Sequence, residues 1–202
     1  MTAALEGAVE LLERALGYTR VMLADVRPDH LEAPTPCTRW TLTRLLAHME
    51  DALDAFTEAA SGQVYVEPVP ASDDRIDNLR EKACALLGAW TEARPPTVDV
   101  GDRRLDPPLL VAMAALEIAV HGWDVAQATG KGAPIPDDLA RGLLPIAEHV
   151  IGPADRGSRF AAPRSLGAST VPSDILLAFV GRMTGPVGWN SGEPPSPEEI
   201  AS

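Results

Sequence analysis

Residues 108–129 read PLLVAMAALEIAVHGWDVAQAT, and this stretch decides the fold. At about 100° per residue, Leu109, Met113, Leu116, Val120 and Trp123 cover one side of a helix. Val111, Ile118 and Val125 cover much of the other. A helix that is apolar nearly all round is a buried helix, so other helices must surround it. Its ionisable residues, Glu117, His121 and Asp124, fall in one sector about 60° wide by the same geometry.

Working outward, helical periodicity dominates and strand signals are few. A first helix is expected after Thr2, as N-cap, towards Val26, stopping before Pro28. Residues 28–40 carry three prolines and read as a connection. A second helix runs from about Thr41 to Ala60, with Leu42, Leu45, Leu46, Met49, Leu53 and Phe56 on its apolar stripe. A third starts near Ser72 or Asp73 and runs towards Trp90, and a short extended piece is expected at Thr97–Val100. The fourth spans about Pro107 to Thr129, and an irregular fifth lies near 137–151, carrying Gly142 and Pro145. An Arg-bearing loop, a short helix around 174–183 and a Pro-rich tail read as disordered complete the chain. The fold class is therefore all-α, a four-helix bundle with long connections. Residues 1–151 form the bundle, and 152–202 form a C-terminal extension packing on it.

Composition excludes several functions. The 202 residues suffice for one sizeable core, and a formal charge of −12 argues against nucleic acid as a partner. The opening MTAALEGAVELLERALGYT has neither the basic end nor the apolar block of an export signal. No segment is expected to approach the roughly 20 apolar residues of a membrane span. Cys37 and Cys84 form no CxxC pattern and read as reduced thiols of a cytoplasmic protein. Of 17 basic residues only Lys82 and Lys131 are lysine, an arginine bias that suggests a GC-rich genome.

A buried carboxylate is costly unless it is paired or bound to a metal. Glu117 and His121, at i and i+4, can direct an oxygen and a nitrogen to one point between helices, a donor set that suits zinc. A third ligand must come from another helix. His30 lies in a loop and His149 near the end of an irregular helix, whereas His48 sits at the margin of the second helix's apolar stripe. His48, Glu117 and His121 are thus the candidate metal ligands. Spacing alone also allows Glu117, His121 and Asp124 to be the wet stripe of a partly exposed helix, with His48 a boundary histidine.

PTPCTRWTLTRLLAHM at 34–49, LEIAVHGWDVAQATG at 116–130, RFAAP at 159–163 and LLAFVGR at 176–182 resemble the DinB/YfiT-like superfamily. They are most similar to its actinobacterial branch, related to the N-terminal domain of mycothiol-dependent maleylpyruvate isomerase. The resemblance implies a DinB-like four-helix bundle whose metal is held by one histidine of the second helix and a glutamate and histidine of the fourth. His48, Glu117 and His121 match those positions. The chain is short for the separate C-terminal domain of the full isomerase, which leaves the isomerase substrate open.

Three ligands leave a fourth position for water or a thiol, as in catalytic zinc sites. The expected function is a metal-dependent thiol transferase or isomerase acting on a small electrophile. The expected cofactor is a divalent metal, zinc first, with nickel or ferrous iron as alternatives, and the resemblance implies mycothiol as co-substrate. A homodimer is compatible with it, and no membrane partner is expected. The rival is a non-catalytic bundle that binds a metal or ligand. Asp124 and Arg182 are the candidate catalytic residues. Asp124 would orient a ligand or transfer protons, against a competing role as a hydrogen bond to a nearby loop. Arg182 would contact an anionic substrate or thiol. Arg156, Arg159 and Arg164 read as solvated, Cys37 as a packing residue, and Trp40 and Trp123 as core.

Overall fold

The computed structural model describes residues 2–37, 40–64, 75–92, 95–131, 133–157, 159–166 and 169–183. Among the described residues six α-helices carry the fold: α1 (Ala3–Leu23), α2 (Leu42–Ala59), α3 (Arg75–Glu92), α4 (Pro107–Ala128), α5 (Asp137–Val150) and α6 (Pro172–Phe179). Thr2 caps α1 as expected, its hydroxyl accepting from the Leu5 amide at 3.3 Å. α1 stops at Leu23, three residues short of the expected end. The start of α3 expected at Ser72 or Asp73, and the tail from 184 on, lie outside the described residues.

α4 is the axis of the structure, flanked by α1, α2 and α5. Ala114, Ala115, Ala119 and Ala126 are fully buried along it, so its neighbours approach closely. At Gly122 a Cβ would stand 2.3 Å from the Thr19 hydroxyl oxygen, and that hydroxyl donates to the Ile118 carbonyl at 2.8 Å. α4 is long and apolar enough to cross a membrane, with mean hydropathy 1.5, which corrects the expectation that no segment approaches this. Its most apolar window is 83% buried inside the bundle, as a core helix would be.

The topology involves a crossover. Glu50, Asp54 and the Phe56 carbonyl of α2 meet Arg75, Lys82 and Trp90 of α3 in the same order, so these two helices run parallel. Their exits agree, since β1 (Gln63–Val64) pairs parallel with β2 (Val98–Val100). β2 turns through Gly101, at φ +60°, into antiparallel β3 (Arg103–Leu105). The extended piece expected at 97–100 is thus the middle strand of a small sheet whose two neighbours sequence reading did not find. α5 packs on α4 with Pro145 inside it, and α6 packs on α5. α6 starts two residues before the expected 174 because Pro172 opens its first turn, and it ends at Phe179 rather than 183.

Candidate metal centre

The PTPCTRW segment leads into α2 through a compact turn. The Thr35 amide and hydroxyl both bond to the Trp40 carbonyl, at 3.1 and 3.0 Å, and the hydroxyl also reaches the Cys37 carbonyl at 3.2 Å. The turn brings Trp40 against His48, with ring centroids 5.0 Å apart, and against His121 at 6.5 Å. Two turns into α2, His48 directs Nε2 to Glu117 Oε1 at 2.7 Å. From within α4, His121 Nε2 reaches the same oxygen at 3.1 Å. His48, Glu117 and His121 therefore offer three donor atoms within 4.8 Å of one another.

The other face of His121 is equally committed. Its Nδ1 lies 2.9 Å from Asp124 Oδ2. Asp124 is fully buried, and Arg182 meets it with two near-parallel bonds, Nε to Oδ1 at 2.9 Å and Nη2 to Oδ2 at 2.7 Å. Arg182 gets there through the end of α6. Gly181 takes φ +83°, and the Arg182 amide bonds back to the Leu177 carbonyl at 2.7 Å, a left-handed cap that turns the chain inward. A Cβ at Gly181 would meet Ala161 at 2.8 Å, so this turn requires glycine.

Electrostatics follow from this pairing. Burial alone would raise the Asp124 carboxyl, but the charge and hydrogen bonds of Arg182, aided by His121, outweigh it and hold the pKa at about 2. Burial likewise works against an ionised Glu117, yet the His121 charge and hydrogen bonds from both imidazoles keep it well below the carboxylate range. Burial opposes a charged His121 too, and Glu117, Asp124 and Cys37 together raise its pKa well above the usual value.

The donor set suits a divalent ion. With His121 Nδ1 donating to Asp124, the Nε2 lone pair is left for the point that His48 and Glu117 also face. A dication there would replace the protons through which both imidazoles bond to Glu117. A second cluster, Cys37, His121 and Asp124, is also within ligating distance. Arg182 already supplies the cation for that one, so it is the weaker metal site.

Cys37 packs against the core as expected, and it also reaches the centre, which the sequence did not indicate. Its sulfur lies 3.3 Å from Asp124 Oδ2, 3.1 Å from Arg182 Nη2 and 3.8 Å from His121 Nδ1. The available signal was its membership of the same continuous segment as His48. The competing role for Asp124 is found beside these contacts, since Cys37 of the Pro-rich connection donates to it while His121 and Arg182 hold its carboxylate as well. Arg156 departs from simple solvation: it donates to the Ala161 and Phe179 carbonyls at 3.0 and 2.8 Å. Arg159 pairs with Asp155 at the surface, and Trp123 is core.

On one side the centre borders an open-sided pocket of about 820 Å³, lined by Glu117 and His121 among residues of all four bundle helices.

A family model described as the mycothiol maleylpyruvate isomerase N-terminal domain matches residues 12–126, more than half of the chain. The chain belongs to this family. The matched span contains Cys37, His48, Glu117, His121 and Asp124, and leaves Arg182 outside it. Two uncharacterised proteins of Mycobacterium tuberculosis, from strains CDC 1551 and H37Rv, are each 29% identical over 175 residues, 84% of this chain and 94% of theirs. Among solved structures, the mycothiol-dependent maleylpyruvate isomerase superposes with a TM-score of 0.55 at 20% identity, covering 71% of each chain. A histidine-to-alanine variant of that enzyme gives 0.54 at the same identity and coverage. At this identity the superposition establishes the family's fold, a helical bundle of the DinB-like kind.

Proposed function

We propose that the protein is a metal-dependent thiol transferase or isomerase that uses a low-molecular-weight thiol, mycothiol, on a small electrophile. One observation carries this reading. Two imidazoles and a carboxylate from facing helices converge beside a cavity, with the inner imidazole fixed from behind by a buried carboxylate and arginine. His48, Glu117 and His121 would hold one divalent ion, zinc first, with nickel or ferrous iron as alternatives. Such an ion lowers the pKa of a thiol bound to it and so supplies the attacking sulfur at neutral pH.

The chain's own residues do the rest. Asp124 accepts the His121 Nδ1 proton and so keeps Nε2 aimed at the centre. Arg182 holds Asp124 ionised and in one orientation. In this reading both act as positioning residues, with Arg182 working through Asp124. Trp40 covers both imidazoles and limits water on that side. Thiol chemistry is supported by membership of the mycothiol maleylpyruvate isomerase N-terminal family and by the fold shared with a mycothiol-dependent isomerase. A cytoplasmic setting is part of this reading, because a low-molecular-weight thiol stays reduced there.

The test is to incubate metal-loaded and chelator-treated protein with mycothiol and a panel of small electrophiles, following adducts and isomers by mass. Turnover that disappears on chelation and returns with zinc is the expected result. Equal rates with and without metal, and no thiol binding, would favour a non-catalytic metal-binding bundle.

A further inference from the structure

The cavity beside Glu117 and His121 narrows the class of electrophile. Resting on the function proposed above, we infer that the substrate is an elongated apolar acid, its body against the leucine walls and its acidic end at Arg20. A short dicarboxylate such as maleylpyruvate is not what this cavity selects.

The walls are built by Leu16 and Leu23 of α1, Leu53 of α2, Leu79 and Leu87 of α3, and Ile118 of α4. At about 820 Å³ the volume lies in the range of sites that enclose a drug-sized ligand. A short dicarboxylate would fill a fraction of it and leave the leucine side chains wet, losing the burial that such walls offer. Gly17 lies exposed on the rim of this space, and a Cβ built there meets nothing within 4 Å. Val21, 57% exposed and also in the lining, marks where the cavity meets solvent.

The charges in the lining give the ligand a direction. Beside Glu117 and His121 they are Glu13, Arg20 and Arg80. Arg80 is engaged by Asp77 at 2.8 Å. Among the described residues Arg20 has no hydrogen-bond or ion-pair partner. Glu13 lies two turns earlier on α1, about 10 Å along the axis, and disfavours an acidic group at its end. The reactive end of the ligand then faces Glu117 and His121, and its acid meets Arg20.

The probe is 1-anilinonaphthalene-8-sulfonate, whose fluorescence reports an apolar site, bound to full-length protein with and without zinc. Decanoate should displace it, and maleate at about a hundredfold higher concentration should not. Gly17→Phe would place a ring in the open space while improving helix propensity, and should weaken decanoate binding about tenfold or more. Ala83→Phe fills the cavity from the opposite wall and should do the same, with an unchanged melting curve as the control for folding. Arg20→Gln should weaken decanoate about threefold and leave decanol unaffected. Maleate competing as well as decanoate, or both phenylalanine variants binding decanoate like the parent, would overturn the inference. Zinc content measured on the same samples separates the two claims. Decanoate binding by a protein that takes up no metal would overturn the catalytic reading and leave the cavity's selectivity standing. Full metal loading with maleate preferred would overturn this inference alone.

Discussion

Arg182 and Asp124, 58 residues apart in sequence, form a two-bond ion pair that solvent barely reaches, with Asp124 fully buried and Arg182 8% exposed. The pair is electrically neutral, which makes a carboxylate tolerable behind His121. Its dependence on both partners leads to the first prediction.

Removing only the cation should be severe. Arg182→Leu leaves the buried Asp124 charge with only His121 and Cys37 as partners and its Oδ1 without a donor, and is expected to cost about 3 kcal/mol of stability in urea titration. The double variant Arg182→Leu with Asp124→Asn should recover more than half of that loss. Equal stability of the single and double variants would show that the charge is not what the pair satisfies.

Metal content gives a second expectation. The purified protein should carry about one divalent ion per chain. His48→Ala and His121→Ala should each remove most of it. Asp124→Asn should keep the ion but weaken its affinity about 10- to 100-fold, because it loosens the imidazole rather than deleting a ligand. Elemental analysis with a chelator competition reads both effects, and undiminished metal in the two alanine variants would sink the assignment.

Acid and alkali should act through different residues of the metal-free protein. Asp124 titrates at about 2 when folded, below its ordinary 3.8, so its contribution is complete above pH 3.8 and is lost as the pH falls through 2. Tyr18 runs the other way. Burial, and then the Asp124 charge, raise its phenol well above 10, so its contribution is complete below pH 10 and is lost at higher pH. The phenol donates to the Ala133 carbonyl at 2.8 Å. Tyr18→Phe should therefore flatten the alkaline limb and cost about 1 kcal/mol at pH 7. An unchanged alkaline slope in thermal melts would contradict this.

Close approach of α1 and α4 sets a fourth expectation. Gly122→Ala puts a methyl 2.3 Å from the Thr19 oxygen and 3.0 Å from its Cβ. The helices must separate, at a cost of about 1–3 kcal/mol. Thr19→Ser does not relieve it, because the hydroxyl remains, whereas Thr19→Ala should recover part of the loss in denaturant titration.

Much of this was readable in the sequence because helices announce themselves locally. The all-round apolarity of 108–129 identified the central helix, and the stripe of α2 placed His48 at its margin. What joins distant segments was harder. Cys37 and His121 are 84 residues apart, and nothing in a Pro-rich turn indicates which helix it will cover. Arg182 was marked only by the family-like segment around it, with no hint that Asp124 is its partner. β1 and β3, of two and three residues, are too short for any alternation to show. The parallel course of α2 and α3 is likewise a property of the connection between them, not of either helix.

The Thr19–Ile118 bond spans 99 residues, joining the first helix to the last of the bundle. During synthesis α1 therefore emerges long before its main partner exists, and its apolar face must wait through three further helices. Contacts of such long range make folding slow compared with an up-down bundle of the same size. The arginine that neutralises Asp124 leaves the ribosome later still. A nascent chain arrested between α4 and α6 would hold an assembled bundle around a buried carboxylate that still lacks its arginine, and ribosome-bound chains of increasing length should gain protease resistance in a final step only once residue 182 is free.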